Sequence, residues 1–380
     1  MEHPTAAEVD LGALRDNFRA IQNLVRTKTP DPLIIAVVKA NAYGHGAVAV
    51  GLALEDAGAR MLACADIEEG VELREAGIGI PILVFGALGV SDVRGLFTHR
   101  LTPTISTPSA GRALQQAAAA RGVTLRCHLK IDTGMNRLGF RFDNLARTMP
   151  EIAAHPNLAV DAVYTHFATA DNPDDPFYDV QRTRFDRALG ALAALGMRGL
   201  HLHAANSAAL LRDARVWYDA VRPGILLYGV VPPPLASTLP LRPVLTLRSR
   251  LVAVKGLRPG EGVGYGHTHV VSEPRRIGIV PAGYADGLDR RLAGRGSVLV
   301  RGRRVPIVGA VSMDSLTVDV TGLDVAPGDE VVILGEQDGA IIDAREMAAA
   351  IGTIPYEVLC RLGSRIKPVY TEDGHGENGI

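Results

Sequence analysis

Apolar positions run through the first 230 residues in two alternating rhythms. Leu11, Leu14, Phe18, Ile21, Leu24 and Val25 follow helical spacing and predict an amphipathic helix ending near Thr27. Beyond it come short, mainly apolar runs at 33–38, 61–65, 82–85, 101–105, 125–131, 159–165, 200–203 and 218–221. Helix-period segments separate them, among them 47–57, 67–76, 109–121 and 178–195. A strand buried on both faces of a parallel sheet reads as a continuous apolar run. Eight such runs alternating with helices predict a (β/α)8 TIM-type barrel, with an open doubly wound sheet as the second arrangement the pattern allows.

Val231-Pro-Pro-Pro-Leu235 can continue neither helix nor strand and reads as a linker. Past it the texture changes. Runs at 244–254, 277–280, 297–300, 305–311, 315–320 and 330–334 are β-rich and punctuated by Pro-Gly and Gly-Arg-Gly turns, and only 344–351 has helical spacing. Residues 1–235 are therefore expected to form the barrel and 236–380 a mostly-β C-terminal domain. The tail from Thr371, rich in Gly and charge, is expected to be mobile.

Composition narrows the function classes. A chain of 380 residues with 47% hydrophobic residues has ample core, and a formal charge of -1 leaves no basic footprint for nucleic acid or anionic membrane. Three widely spaced cysteines suggest neither a disulfide framework nor a structural zinc site. The start of the chain lacks a signal pattern and no apolar run is long enough to span a bilayer, which together predict a cytoplasmic protein. The partners expected on these grounds are small molecules or further copies of the chain.

Lysine is scarce in this chain. Lys28, Lys39, Lys130, Lys255 and Lys367 are the only five among 40 basic residues. One of them, Lys39, ends the first apolar run, where an α/β fold places its chemistry. A partly desolvated amine condenses with carbonyls as a guanidinium cannot; the alternative is a strand-end lysine snorkelling to solvent. The same predicted rim collects Lys130, Asp132, His166, His203, Asn206, Ser207, Arg222 and Gly224. Ser207 and Gly224 would make a phosphate cradle of the kind barrels form after their last strands. Singly, each has a structural alternative: a helix cap for Ser207, a turn for Gly224, a satisfied core side chain for His203. In the second domain, Gly262-Val-Gly-Tyr-Gly-His267 precedes no helix and is not a dinucleotide fingerprint; its glycines suit a loop that presents Tyr265.

Ala36-Val-Val-Lys-Ala-Asn-Ala-Tyr-Gly-His-Gly46 resembles the cofactor-attachment motif of the alanine racemases. The resemblance runs over essentially the whole chain, through Lys130-Ile-Asp-Thr-Gly-Met-Asn-Arg-Leu-Gly139, Arg222-Pro-Gly-Ile-Leu-Leu-Tyr-Gly229, Pro281-Ala-Gly-Tyr-Ala-Asp-Gly287, Ser312-Met-Asp314 and Ile354-Pro-Tyr-Glu357. It implies interconversion of L- and D-alanine on pyridoxal 5'-phosphate for cell-wall synthesis, by a head-to-tail homodimer whose sites are completed by the partner's second domain. Lys39 would carry the cofactor as a Schiff base and serve the face that handles D-alanine; Tyr265 of the partner would serve the opposite face. Tyr43, Ser207, Gly224, Ile225 and Tyr356 match phosphate contacts, His166 and Asn206 residues lining the ring, and Arg222 the partner of the ring nitrogen. Arg137 and the backbone N–H of Met313 match contacts to the substrate carboxylate. Tyr284, with Tyr356, matches the approach to the site, and Asp314 and His203 are supporting positions. Lys130 matches a position that is carbamylated in many members and orients Arg137; the alternative is an unmodified lysine paired with Asp132.

Ser312 stands where some relatives have Cys, which removes the thiol from that spot. A broad-specificity amino-acid racemase of the same fold is the neighbouring alternative. A non-catalytic pyridoxal phosphate carrier is a more distant one, since such proteins resemble the barrel alone. A decarboxylase of the related barrel-plus-β-domain fold would use a cysteine in the partner-supplied position, and Ser312 and Tyr265 speak against it.

Overall fold

The computed structural model describes residues 4–86, 93–363 and 365–372. All eight apolar runs of the first half are strands: Leu33–Val37, Met61–Cys64, Ile82–Val84, Thr102–Ile105, Leu125–Asp132, Leu158–Tyr164, His201–Asn206 and Ala220–Arg222. They pair in parallel in chain order. The last returns to the first through Ala220↔Leu33 and Val221↔Ile34, so the sheet closes into a barrel and the open alternative is excluded. The runs are buried on both faces of the sheet: Ile34, Ile35, Ala36, Leu62, Leu83, Leu129 and Val163 are almost wholly buried.

The first helix spans Leu11–Arg26 and is capped by Asp10, whose Oδ1 accepts the Ala13 N–H at 2.8 Å. It buries Leu11, Leu14, Phe18, Ile21 and Val25, the face read from the sequence, and leaves Leu24 half-buried.

The second domain is built on one large sheet that runs Ala253–Leu257, Arg275–Val280, Leu316–Asp319, Arg303–Val308, Ser297–Val300, Glu330–Gln337 and Leu245–Arg250. The run expected at 244–254 is broken at residues 251 and 252 into two strands. Ala340–Ile342 pairs with Glu330–Gln337, and two more strands that the sequence does not announce complete the ten-stranded sheet. Ala6–Asp10, ahead of the first helix, pairs antiparallel with Leu245–Arg250 and parallel with Pro368–Thr371. The chain therefore starts in the second sheet before it enters the barrel. Thr371 is paired, so the tail is anchored further than expected; residues 373–380 lie outside the described residues. Besides Ala344–Ile351, a second helix, Pro355–Cys360, opens with proline at its first turn.

This last helix positions the site. A Cβ on Gly44 would lie 2.3 Å from the carbonyl oxygen of Leu359, and one on Gly46 would lie 1.9 Å from the Tyr370 hydroxyl. The loop after the first barrel strand is thus clamped by the end of its own chain, at two glycines with φ of 84° and 92° that a side chain would strain as well as crowd.

Candidate active site

Lys39 follows the first barrel strand and opens a turn of uncommon hand. Ala40, Asn41, Ala42 and Tyr43 all have φ between 52° and 55°. Four consecutive non-glycine residues in the left-handed region cost about 1–2 kcal/mol each, and such strain persists only where surrounding contacts over-determine it. Three side chains supply those contacts. Glu69 accepts the Ala40 N–H at 2.7 Å, Asn41 accepts the Ala47 N–H at 2.8 Å, and His45 Nδ1 lies 3.1 Å from the Ala42 carbonyl and 3.0 Å from that of Tyr43. Both His45 contacts are to acceptors, so Nδ1 carries the proton. Burial drives its pKa down to about 4, so the ring stays neutral.

Burial, then the Arg137 guanidinium, hold the Lys39 amine below the ordinary lysine range, with Glu69 and Cys360 acting the other way and Arg222 adding to the depression. Around Lys39 the barrel gathers most of the residues expected on its rim. Asn206 caps the helix Ser207–Arg212, its Oδ1 accepting the Ala209 N–H at 2.9 Å; the cap is therefore Asn206 and not Ser207. Ser207, freed from that task, accepts the Gly224 N–H at 2.9 Å and keeps its own proton to donate. Gly224 cannot be anything larger, because a Cβ there would sit 2.3 Å from the Tyr43 hydroxyl. Ile225 opens a short 3-10 helix at the same place, and the Leu226 N–H lies 3.5 Å from the Ser207 hydroxyl. Tyr356, on the helix Pro355–Cys360, closes the cradle with its ring 6.0 Å from that of Tyr43.

Arg222 is buried, which pulls its pKa down to about 10. It donates to the Thr165 and Ala204 carbonyls at 2.7 and 2.9 Å and to His203 Nδ1 at 2.8 Å. A guanidinium only donates, so Nδ1 of His203 accepts and its Nε2 carries the proton. That nitrogen lies 3.1 Å from His128 Nδ1, which then accepts in turn. Tyr164 stacks on His203 at 4.7 Å and places its hydroxyl 3.1 Å from Thr104. Burial keeps His128, His203 and the neighbouring His166 well below the ordinary histidine range. Arg222 is therefore the one charge in an otherwise neutral buried chain. His128, Tyr164, Glu69 and His45 were not singled out in the sequence. The first two sit on interior strand positions, and Glu69 falls three residues after the cap Asp66, where a capping box would be read.

Lys130 is buried with its amine 5.7 Å from the Tyr164 ring centroid. Burial and Arg137 bring its pKa to about 8. Asp132 turns Oδ1 to the N–H groups of Gly134 and Asn136, at 2.9 and 3.1 Å, and among the described residues it makes no ion pair with Lys130. Arg137 follows that turn and is exposed.

The remaining candidates lie elsewhere in the chain. Tyr265 is 78% exposed between Gly264 and Gly266, both with positive φ, and lines a hollow of about 350 Å³ with Ala310, Ser312, Ser315 and Thr317. Met313, Tyr284 and Asp314 belong to the same face: Tyr284 and Ala285 donate to the Ser312 and Met313 carbonyls at 2.9 and 3.0 Å, and Asp314 pairs with Arg365 at 2.6 Å.

A desolvated amine at the mouth of a closed parallel barrel, beside hydroxyl and backbone groups, is the arrangement of a barrel protein with its candidate site at the C-terminal ends of the strands. Comparison with known proteins goes further. Residues 9–232 match the family model for the N-terminal domain of alanine racemase and residues 244–370 that for its C-terminal domain. The alanine racemase of Symbiobacterium thermophilum is 43% identical over 97% of this chain and 97% of its own. That of Carboxydothermus hydrogenoformans is 44% identical over 97% and 99%. Among solved structures, alanine racemase from D-cycloserine-producing Streptomyces lavendulae superposes with a TM-score of 0.91 at 37% identity, covering 98% of both chains. The Bacillus anthracis enzyme with bound L-Ala-P gives 0.89 at 34%, covering 99% of this chain and 97% of that one. The chain belongs to the alanine racemase family, a family of isomerases.

Proposed function

We propose that this racemase interconverts L- and D-alanine on pyridoxal phosphate carried by Lys39, as a head-to-tail homodimer in which Tyr265 of a second copy faces Lys39 across the substrate. The product would supply D-alanine to peptidoglycan. The observation that carries the reading is the convergence of the Lys39 amine and the Gly224 cradle on one barrel mouth.

The residues fit the cofactor. Gly224 has no side chain and so admits the Tyr43 hydroxyl beside it, and Tyr43, Ser207, Ile225 and Tyr356 would supply the hydroxyl and backbone donors to the phosphate. Arg222, held by three acceptors, would meet the ring nitrogen with a donor and no acceptor, which leaves that nitrogen unprotonated. Asn206 and His166 would line the ring. Bound pyridoxal phosphate would supply an electron-withdrawing ring that acidifies the hydrogen on the substrate α-carbon.

The protein's own part is to move that proton. Inversion requires a donor and an acceptor on opposite faces of a planar carbon. Lys39, with its lowered pKa, takes the D face; Tyr265 of the second copy takes the L face. Arg137 and the Met313 N–H of the second copy would orient the substrate carboxylate. The test is exchange of the α-hydrogen in deuterated water with each enantiomer of alanine. Both are expected to exchange, and a protein that merely carries the cofactor would exchange neither.

Lys130 leads to a second expectation. An amine whose pKa is lowered to about 8 is increasingly neutral as pH rises through 8, and only the neutral form adds carbon dioxide. The resulting anion would pair with Arg137. Carbon-13 NMR of the enzyme in labelled bicarbonate is expected to show one carbamate signal, growing between pH 7 and 9 and absent from Lys130→Ala. A spectrum unchanged by that substitution would refute the assignment.

A further inference from the structure

Glu69 is the third residue of the helix Ile67–Glu75, whose cap is Asp66; Asp66 Oδ1 accepts the Glu69 N–H at 2.9 Å. A glutamate at that position ordinarily bends back to the N–H of its own cap residue. Here it does not. Oε2 accepts the N–H of Ala65, one residue earlier, at 2.7 Å, and Oε1 crosses to the Ala40 N–H at 2.7 Å. One carboxylate thus ties the end of the strand Met61–Cys64 to the residue that follows Lys39.

The turn it grips needs a tie at that point. Ala42 donates to the Val38 carbonyl at 2.8 Å and the far end is held by His45, so Glu69 is what fixes the near end of four residues in left-handed conformation. We propose that Glu69 is a positioning residue for Lys39: its carboxylate pins the left-handed turn, so that the amine is presented at the barrel mouth while Tyr43 stays over Gly224. This rests on Lys39 being the amine that carries the cofactor. The charge has a second effect. Burial, Arg137 and Arg222 push the Lys39 amine toward neutrality, and Glu69, with Cys360, resists them.

The test uses the full-length enzyme, stripped of cofactor and reloaded with pyridoxal phosphate. Lys39→Ala must lose covalent capture, read by absorbance and by borohydride-fixed label. If it does not, the reading of Lys39 fails, and that failure is visible separately from any result at Glu69. Glu69→Gln keeps an acceptor for only one of the two N–H groups and is expected to hold the cofactor about tenfold more weakly. Its capture should also shift to lower pH, because an amide no longer favours the ammonium form of Lys39. Glu68→Gln, at the exposed neighbour, should change neither.

Adding Ala40→Gly to Glu69→Gln should restore most of the affinity, since glycine enters the left-handed region freely; a residue that only stabilised its own helix would not be rescued this way. Parental affinity and pH profile in Glu69→Gln, or no rescue by glycine, would overturn the proposal. If Glu69→Gln does not fold, amide exchange of the unaltered holoenzyme decides. The Ala40 N–H must then exchange as slowly as that of Ala42, and fast exchange at Ala40 would overturn it.

Discussion

Tyr265→Ala is expected to abolish α-hydrogen exchange from L-alanine while leaving exchange from D-alanine in place, with a loss of about 10²–10⁴ in the rate of racemisation. The asymmetry follows from the assigned faces. If Lys39 alone meets the hydrogen of the D enantiomer, that half of the reaction survives the loss of the phenol, whereas the hydrogen of the L enantiomer has no acceptor left. The substitution should not disturb the fold. Tyr265 is 78% exposed in the chain and its loop is shaped by Gly264 and Gly266, so the melting temperature of the variant should stay near that of the parent. Equal, modest losses with both enantiomers would mean that Tyr265 is not the second base.

Lys39→Ala is expected to be the more damaging change, because it removes both the attachment point of the cofactor and one of the two bases. Racemisation should fall by at least about 10⁴, borohydride should fix no cofactor to the protein, and exchange from both enantiomers should stop. An added primary amine such as methylamine should restore part of the exchange from D-alanine, since it can occupy the space vacated by the side chain. Label fixed at another lysine would place the chemistry elsewhere; Lys130, buried at the same mouth, is the position to inspect.

Much of this arrangement is legible in the sequence, and the exceptions have physical causes. The eight barrel strands stand out because parallel strands covered on both faces are mainly apolar, and the lysine at the end of the first is conspicuous in a chain that otherwise favours arginine. Ala6–Asp10 and Pro368–Thr371 are legible in neither composition nor period: each is short, and they are strands only because they pair with each other, and Ala6–Asp10 also with Leu245–Arg250, across more than 200 residues. Pro355–Cys360 is six residues long, below the span over which helical spacing declares itself.

The left-handed turn is invisible for a different reason. Nothing in Ala40-Asn-Ala-Tyr43 favours positive φ except the asparagine, so the conformation is imposed by Glu69, His45 and the packing of Leu359 and Tyr370 rather than chosen locally. Glu69 itself carries a readable capping signal, but the partner that matters, Ala40, lies 29 residues away. Ser207 shows the converse: the sequence allows it to cap its helix, and the preceding Asn206 takes that role and releases it to the cradle.

The claim on which the account turns is that one active site draws on two copies of the chain. The most direct measurement mixes inactive Lys39→Ala and Tyr265→Ala subunits in equal amounts, dissociates and reassembles them, and assays racemisation. Random pairing makes half the dimers mixed, and each mixed dimer holds one site with both bases intact, so about a quarter of the parental activity should return. If the mixture is no more active than the two variants assayed separately, Lys39 and Tyr265 do not serve one site across the pair.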